Sequence, residues 1–333
     1  MPPFFRHDSS LEHDTGFGHP ERADRIRAIE AALEGREWLG WDRVDAPAAT
    51  EEQLLRVHPA EYVQAVREHS ERSRAFDVDT PTSPGSYEAA LRAAGGACAL
   101  VDALLTAGER IGFSSLRPPG HHAERATAMG FCLFANVAVA ARHALDALGA
   151  ERVLVLDWDV HHGNGTNALF HDSREVLFVS THQWPFWPGT GPLGDVGEGD
   201  GEGFSINVPL PAGTGEAAFL SLIEHVVMPV GRQYRPDLIL ISAGYDAHRH
   251  DPLGGLALDT SSFGGMSSRM RALGDELGAP VGAVLEGGYD LQATADSVIE
   301  TMAALEGGAL PSEVARHPIA DEVIEVAGRY WDF

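Results

Sequence analysis

The sequence predicts an α/β fold: three layers, with a central, mostly parallel sheet. Short apolar runs rich in branched residues recur along the chain, longer helical patterns separate them, and reactive polar residues follow directly after the apolar runs. Near-continuous apolar strands alternating with helices mark a parallel sheet covered on both faces. In such sheets ligands bind beyond the carboxyl ends of the strands.

The predicted strands are 111–114 (IGFS), 152–157 (RVLVLD), 176–181 (VLFVST), 204–208 (FSINV), 237–243 (DLILISA) and 281–285 (VGAVL). Helical periodicity falls near 21–34, 59–69, 86–107, 132–148, 215–234, 261–277 and 290–305. No repeat, low-complexity linker or composition break divides the chain, so residues 1–333 read as one domain. The stretch 182–203 has seven glycines and neither a helical nor a strand pattern. A connection of that length in a compact domain is usually functional or disordered. Trp184, Phe186 and Trp187 at its start read as a packed binding loop, with a more mobile Gly/Asp/Glu tail.

Composition narrows the partners. With 44% hydrophobic and 22% charged residues the chain is globular. Acidic residues number 49 against 24 basic ones, all arginine, for a formal charge of −25. Phosphate backbones require a basic face, so general nucleic-acid affinity is excluded, while cationic ligands are attracted. No apolar run approaches the roughly 18 residues of a membrane span, and MPPFFRHDSS lacks the form of a secretory signal. The expectation is a cytoplasmic enzyme. Cys98 and Cys132 lie in small apolar surroundings, read as buried thiols without a redox role.

Four predicted strand ends carry the chemistry. RVLVLD runs into Trp158, Asp159, Val160, His161 and His162; DLILISAGY into Asp246; GAVLEGG into Tyr289; and IGFSS into RPPGHH with His121 and His122. In an extended chain, alternation puts Asp157, Asp159 and His161 on one side. Asp159 and His161 can chelate a divalent metal with Asp246, leaving positions open as catalytic sites require. His121 and His122 suit a general base and an electrostatic partner, with Asp157 and Asn164 available to hold their other ring nitrogens. Tyr289 follows two glycines that let backbone approach a ligand, and its phenol can donate to a developing oxyanion.

Together these segments resemble the histone deacetylase and acetylpolyamine amidohydrolase family, with its arginase-like fold. The resemblance rests on HPERADR (19–25), RPPGHHA (117–123), GFCLFANVAVAA (130–141), DWDVHHGNGT (157–166), PGTG (188–191), SAGYDAHRHDPLGG (242–255) and EGGYD (286–290). The wording is similar to class II enzymes and their bacterial relatives. It implies that Asp159, His161 and Asp246 hold zinc and that His122 is the base, with His121 as its electrostatic partner. Asp157 then orients His121, Asn164 orients His122, and Tyr289 polarises the acyl carbonyl. Phe131 and Trp187 become the walls of a narrow channel, Gly130 offers a carbonyl to the scissile amide, and Asp79 binds substrate backbone at the rim. Arg22 matches an arginine lining an internal channel behind the metal. A potassium ion is implied near Asp157, Asp159, His161, Ser180 and Thr181.

An Asp₂His donor set also suits Fe²⁺, Co²⁺ or Mn²⁺. The substrate implied is an acetylated small amine or acetyl-lysine. Polyamine-selective members carry a rim glutamate seven residues after the last metal aspartate, where this chain has Leu253. Two rivals remain: an arginase-like hydrolase, which would need two metals, and a non-catalytic acyl-lysine binding protein.

Overall fold

The computed structural model describes residues 1–307 and 313–333; residues 308–312 of the one-domain reading lie outside the described residues. Eight strands are described: β1 (Pro3–Arg6), β2 (Asp42–Asp45), β3 (Ile111–Ser114), β4 (Val153–Asp157), β5 (Val176–Gln183), β6 (Ser205–Leu210), β7 (Leu238–Ala243) and β8 (Val281–Leu285). They form one sheet in the order β2-β1-β3-β8-β7-β4-β5-β6, and every pairing is parallel. The six predicted strands are all present, each starting within a residue of its expected position. β1 and β2 were not predicted: both are four residues long, and the exposed DRVD of β2 has no apolar signal.

Alternation along the strands sorts the core into two layers. Leu154 and Leu156 of β4, Leu177 and Val179 of β5 and Ile239 and Ile241 of β7 pack in one cluster. Val153, Val155, Val176, Phe178, Leu238 and Leu240 pack in the other. The first layer is covered by the helices Asp24–Glu34, Thr260–Leu277 and Leu291–Gly307, the second by Ser86–Leu105 and Asn136–Ala147. Among the described residues no helix is long and apolar enough to cross a membrane.

Three further departures have local causes. The helix expected from 132 begins at Asn136. Ahead of it, the Ala135 N–H donates to His58 Nε2 at 3.0 Å and the Leu133 carbonyl accepts from the Tyr62 hydroxyl at 2.6 Å, so neighbouring side chains hold backbone groups that a helix would use. The run 215–234 is helical but contains a π turn at Ile223–Val227. Short helices Ser9–Glu12, Glu51–Leu55 and Pro318–Ala327 were not anticipated, nor were the two strand residues and the 3₁₀ turn Gly199–Gly201 inside 182–203.

A buried ion cluster ties the N-terminal segment to the strand ends. Arg117, after β3, grips the Glu21 carboxylate through Nε and Nη2, and Arg25 Nη1 donates to it at 3.1 Å. All three side chains are fully buried. Arg25 also donates to the carbonyls of Glu286 and Gly288 and lies 4.9 Å from the centre of the Tyr289 ring. The arginine behind the site is therefore Arg25. Arg22 precedes the helix, pairs with Asp24 at 3.3 Å and leaves 46% of its side chain exposed. Arg25 shares the buried helix face with Ile26 and Ile29.

Burial pushes the Glu21 carboxyl up, but Arg117, His13 and Arg25 outweigh it and hold it at about 2. A carboxyl held below its unfolded value stabilises the fold above that value and loses the effect as pH falls through the folded pKa. Glu21→Gln should cost roughly 3 kcal/mol or more at neutral pH by leaving buried arginines uncompensated. In urea unfolding, the gap to the parent should narrow as pH is lowered from 4.5 towards 2.

Candidate functional site

The four strands whose ends carry reactive residues, β3, β8, β7 and β4, are consecutive neighbours in the sheet. The residues converge at their carboxyl edge. β4 ends at Asp157, and the next turns are set by side chains rather than by strand alternation. Asp157 Oδ1 accepts the Asp159 N–H at 3.1 Å, and Asp159 Oδ1 accepts the His161 N–H at 2.9 Å. These i to i+2 bonds are typical of Asp at turns. Trp158 and Val160 point the other way, into the core.

Ligand atoms of Asp159, His161 and Asp246 lie within 4.8 Å of one another. His161 Nδ1 stands 3.1 Å from Asp159 Oδ1 and 3.2 Å from Asp246 Oδ2. One ring nitrogen carries at most one proton and cannot satisfy two carboxylates. Burial, and then the charge of Asp159, push Asp246 up to about 7. A divalent cation would relieve that repulsion, so the donor set fits a metal ion. The carboxylates are fixed from behind, by the Val160 N–H on Asp246 Oδ1 and the Gly287 N–H on Asp159 Oδ2. Gly287 has to be glycine: a Cβ there would meet Asp246 Oδ2 at 2.2 Å and Asp159 Oδ2 at 2.5 Å.

The histidine pair stands beside this group, ring centres 3.9 Å apart. His121 Nδ1 is 3.0 Å from Asp157 Oδ2, and His122 Nδ1 is 2.8 Å from Asn164 Oδ1. Burial lowers the pKa of His121, but the carboxylates of Asp159 and Asp157 outweigh it and raise it well above the usual value. Burial lowers His122 as well, and the neighbouring His121 and His161 take it well below. Two adjacent imidazoles are thus set to opposite charge states. Burial holds the Tyr289 phenol well above 10 despite Arg25, so it remains an O–H donor.

A cavity of about 170 Å³ reaches these groups, lined by Asp79, His122, Gly130, Phe131, His161, Trp187, Leu253 and Tyr289. All five residues expected to contact substrate are on its wall. Phe131 and Tyr289 meet edge to face with ring centres 5.8 Å apart, and Trp187 meets His122 at 4.6 Å. Gly130 and Phe131 both have positive φ, 56° and 69°. A Cβ on Gly130 would meet His122 and Trp187 at 2.5 Å, so only glycine fits. Of the expected potassium group, Asp157 pairs with Ser180 in the sheet, and the Thr181 hydroxyl donates to the Asp157 carbonyl at 3.3 Å.

The sequence reading missed a supporting shell. Glu286 accepts the N–H groups of Gly120 and His121, at 2.6 and 3.1 Å, and the Ser242 hydroxyl at 2.9 Å. Asp251 accepts the N–H of Tyr289 at 2.6 Å and of Leu253 at 2.9 Å, joining the two loops that bear them. Phe186, expected in a packed binding loop, stacks on His161 at 5.3 Å. Both acids lie inside segments that carry the resemblance, Glu286 in EGGYD and Asp251 in SAGYDAHRHDPLGG, and that position was the available signal.

Comparison with known proteins bears on the fold and the family. A model of the histone deacetylase domain matches residues 19–305. The chain is 40% identical over 309 residues to the chloroplastic histone deacetylase 14 of Arabidopsis thaliana, covering 87% of this chain and 73% of that one. It is 41% identical over 276 residues to a histone deacetylase-like amidohydrolase of Pseudomonas aeruginosa, covering 82% and 73% respectively. With the human polyamine deacetylase HDAC10 it shares 38% identity over 305 residues, 86% of this chain and 45% of that protein. Among solved structures, the HDA15 HD domain superposes with a TM-score of 0.92 at 36% identity, covering 99% of this chain and 96% of that one.

Purified protein should retain about one divalent ion per chain. Asp246→Ala should lower that occupancy at least about tenfold. Elemental analysis checks both, and undiminished metal in the variant would mean that the ion lies elsewhere.

Proposed function

The chain belongs to the histone deacetylase family, and from that premise we propose that it is a zinc-dependent deacetylase acting on acetyl-lysine-like substrates. The carrying observation is one narrow cavity whose wall holds His122, His161 and Tyr289, with Asp159 and Asp246 beside His161. In this reading residues 1–333 act as one deacetylase domain. Asp159, His161 and Asp246 hold the ion, which when bound supplies Lewis acidity to the acyl carbonyl and acidifies a water. The same donors accept Fe²⁺ or Co²⁺.

The remaining steps belong to the chain's own residues. Neutral His122, held through Nδ1 by Asn164, takes the proton of the attacking water and later delivers it to the departing amine nitrogen. Cationic His121, between Asp157 and Asp159, steadies the negative charge of the tetrahedral intermediate. The Tyr289 hydroxyl donates to the acyl oxygen as it gains charge. Phe131 and Trp187 flank an aliphatic stem, the Gly130 carbonyl accepts the amide N–H, and Asp79 accepts from substrate backbone at the mouth. A potassium ion beside Asp157, near Ser180 and Thr181, completes the proposal.

Acetylated polyamine is the second reading, favoured by the human relative's name. Leu253 argues against it, since its aliphatic side chain brings no carboxylate to the rim position where polyamine-selective relatives place a glutamate.

Zinc-loaded protein should release acetate from an acetyl-lysine peptide, with a higher kcat/KM than on N-acetylspermidine. Tyr289→Phe should lower kcat by about 10²–10³-fold, the scale of one lost oxyanion donor, and Asp159→Ala should abolish turnover. Activity that survives both substitutions would refute the reading.

A further inference from the structure

The side-chain amide of Asn164 lies between a base and an acid. Its Oδ1 is 2.8 Å from His122 Nδ1, and its Nδ2 is 2.9 Å from Glu124 Oε1. A carboxylate only accepts hydrogen bonds, and an amide oxygen only accepts. Glu124 therefore takes the NH₂ end of Asn164, which leaves the oxygen facing His122. His122 must then carry its proton on Nδ1, keeping the lone pair of Nε2 free on the cavity wall. The orientation of an asparagine amide is set by its partners, and here the deciding partner is Glu124. The other contacts of Nδ2, with the His122 carbonyl and Met129 Sδ, are both 3.5 Å and weak.

We propose that Glu124 is a positioning residue that sets the tautomer of His122 by fixing the orientation of Asn164. It rests on the deacetylase reading only in taking His122 as the base. Without Glu124 the amide can turn over and offer its N–H to Nδ1. That favours the tautomer protonated on Nε2, which cannot accept a proton from water. An asparagine that has replaced a carboxylate in a catalytic triad causes a large rate loss for the same reason, a wrong tautomer. Here the amide is kept competent by a carboxylate one link further out. Glu124 is itself set by a tight turn, its N–H donating to the Thr127 carbonyl at 3.0 Å.

The test uses zinc-loaded, ¹⁵N-histidine-labelled protein, with the His122 tautomer read by long-range ¹H–¹⁵N correlation and rates measured on an acetyl-lysine peptide. The parent should be protonated on Nδ1. Glu124→Ala should shift His122 towards the Nε2–H form and lower kcat roughly tenfold or more with little change in KM. Asn164→Asp, added to Glu124→Ala, should restore the Nδ1–H tautomer, because an aspartate has no donor end to present, and should restore the rate at pH values above the His122 pKa that its charge raises. A merely distorted loop would not be repaired in this way. If Glu124→Ala does not fold, Glu124→Gln serves, since its amide can present either end and should yield a mixed tautomer. An unchanged tautomer in the single variants, or no restoration in the double, overturns the proposal. A parent without turnover but with the expected tautomers would sink the deacetylase reading and leave the assignment of Glu124 standing.

Discussion

Asp157, Asp159, Asp246 and Glu286 are withdrawn from water together at the carboxyl edge of the central strands. Buried ionised carboxylates are tolerated only when paired or hydrogen-bonded, and this requirement shapes everything around them. Backbone N–H groups do much of the compensation: those of Asp159, Val160, His161, Gly287, Gly120 and His121 all point at these oxygens. The β-strand ends supply such donors because the ladder stops there. The Ser242 hydroxyl and the imidazoles of His121 and His161 add further donors, and the geometry leaves Asp159 and Asp246 facing one ring nitrogen, a charge imbalance that a cation corrects.

The sheet and the reactive strand ends were legible because their signals are local. An apolar run such as VLVLD or LILISA announces a buried strand by itself, and its next residues inherit a position at the carboxyl edge. What lay outside the sequence depends on contacts between distant segments. Glu286 bonds across 165 residues to His121, and Glu124 across 40 to Asn164. Nothing in the spacing of either acid announces its partner. The misassigned arginine makes the same point at short range. Arg22 and Arg25 stand in one motif, and only the start of the helix at Asp24 decides which guanidinium turns inward.

The seven-glycine stretch shows composition misleading about order. Asn207 commits its NH₂ to Asn167 Oδ1 and the Asp195 carbonyl, so its oxygen accepts from His162 Nε2 at 2.9 Å. His162 Nδ1 is then left to accept the Thr190 hydroxyl at 2.7 Å, while His182 Nε2 donates to the Gly191 carbonyl at 2.9 Å. Asp195 bonds His171 at 2.6 Å, and Trp331 donates to the Gly203 carbonyl at 2.8 Å. The tail expected to be mobile is tied along its length. Trp187 can serve as a channel wall because imidazoles beneath the loop hold its glycine-rich continuation.

The two adjacent histidines show how far environment overrides residue type. Both are buried to the same degree, so desolvation lowers both pKa values. His121 lies against Asp157 and within 3.7 Å of Asp159, and carboxylates reverse its shift. His122 faces an amide, and the charge of His121 adds to the penalty on its own protonation. Making one ring cationic therefore helps keep the other neutral, and neither outcome needs a separate device. Pairs of titratable groups driven apart by their surroundings identify acid and base roles. The amide partner carries this division of labour only while its oxygen faces the ring, and in this chain a carboxylate outside the motif keeps it there.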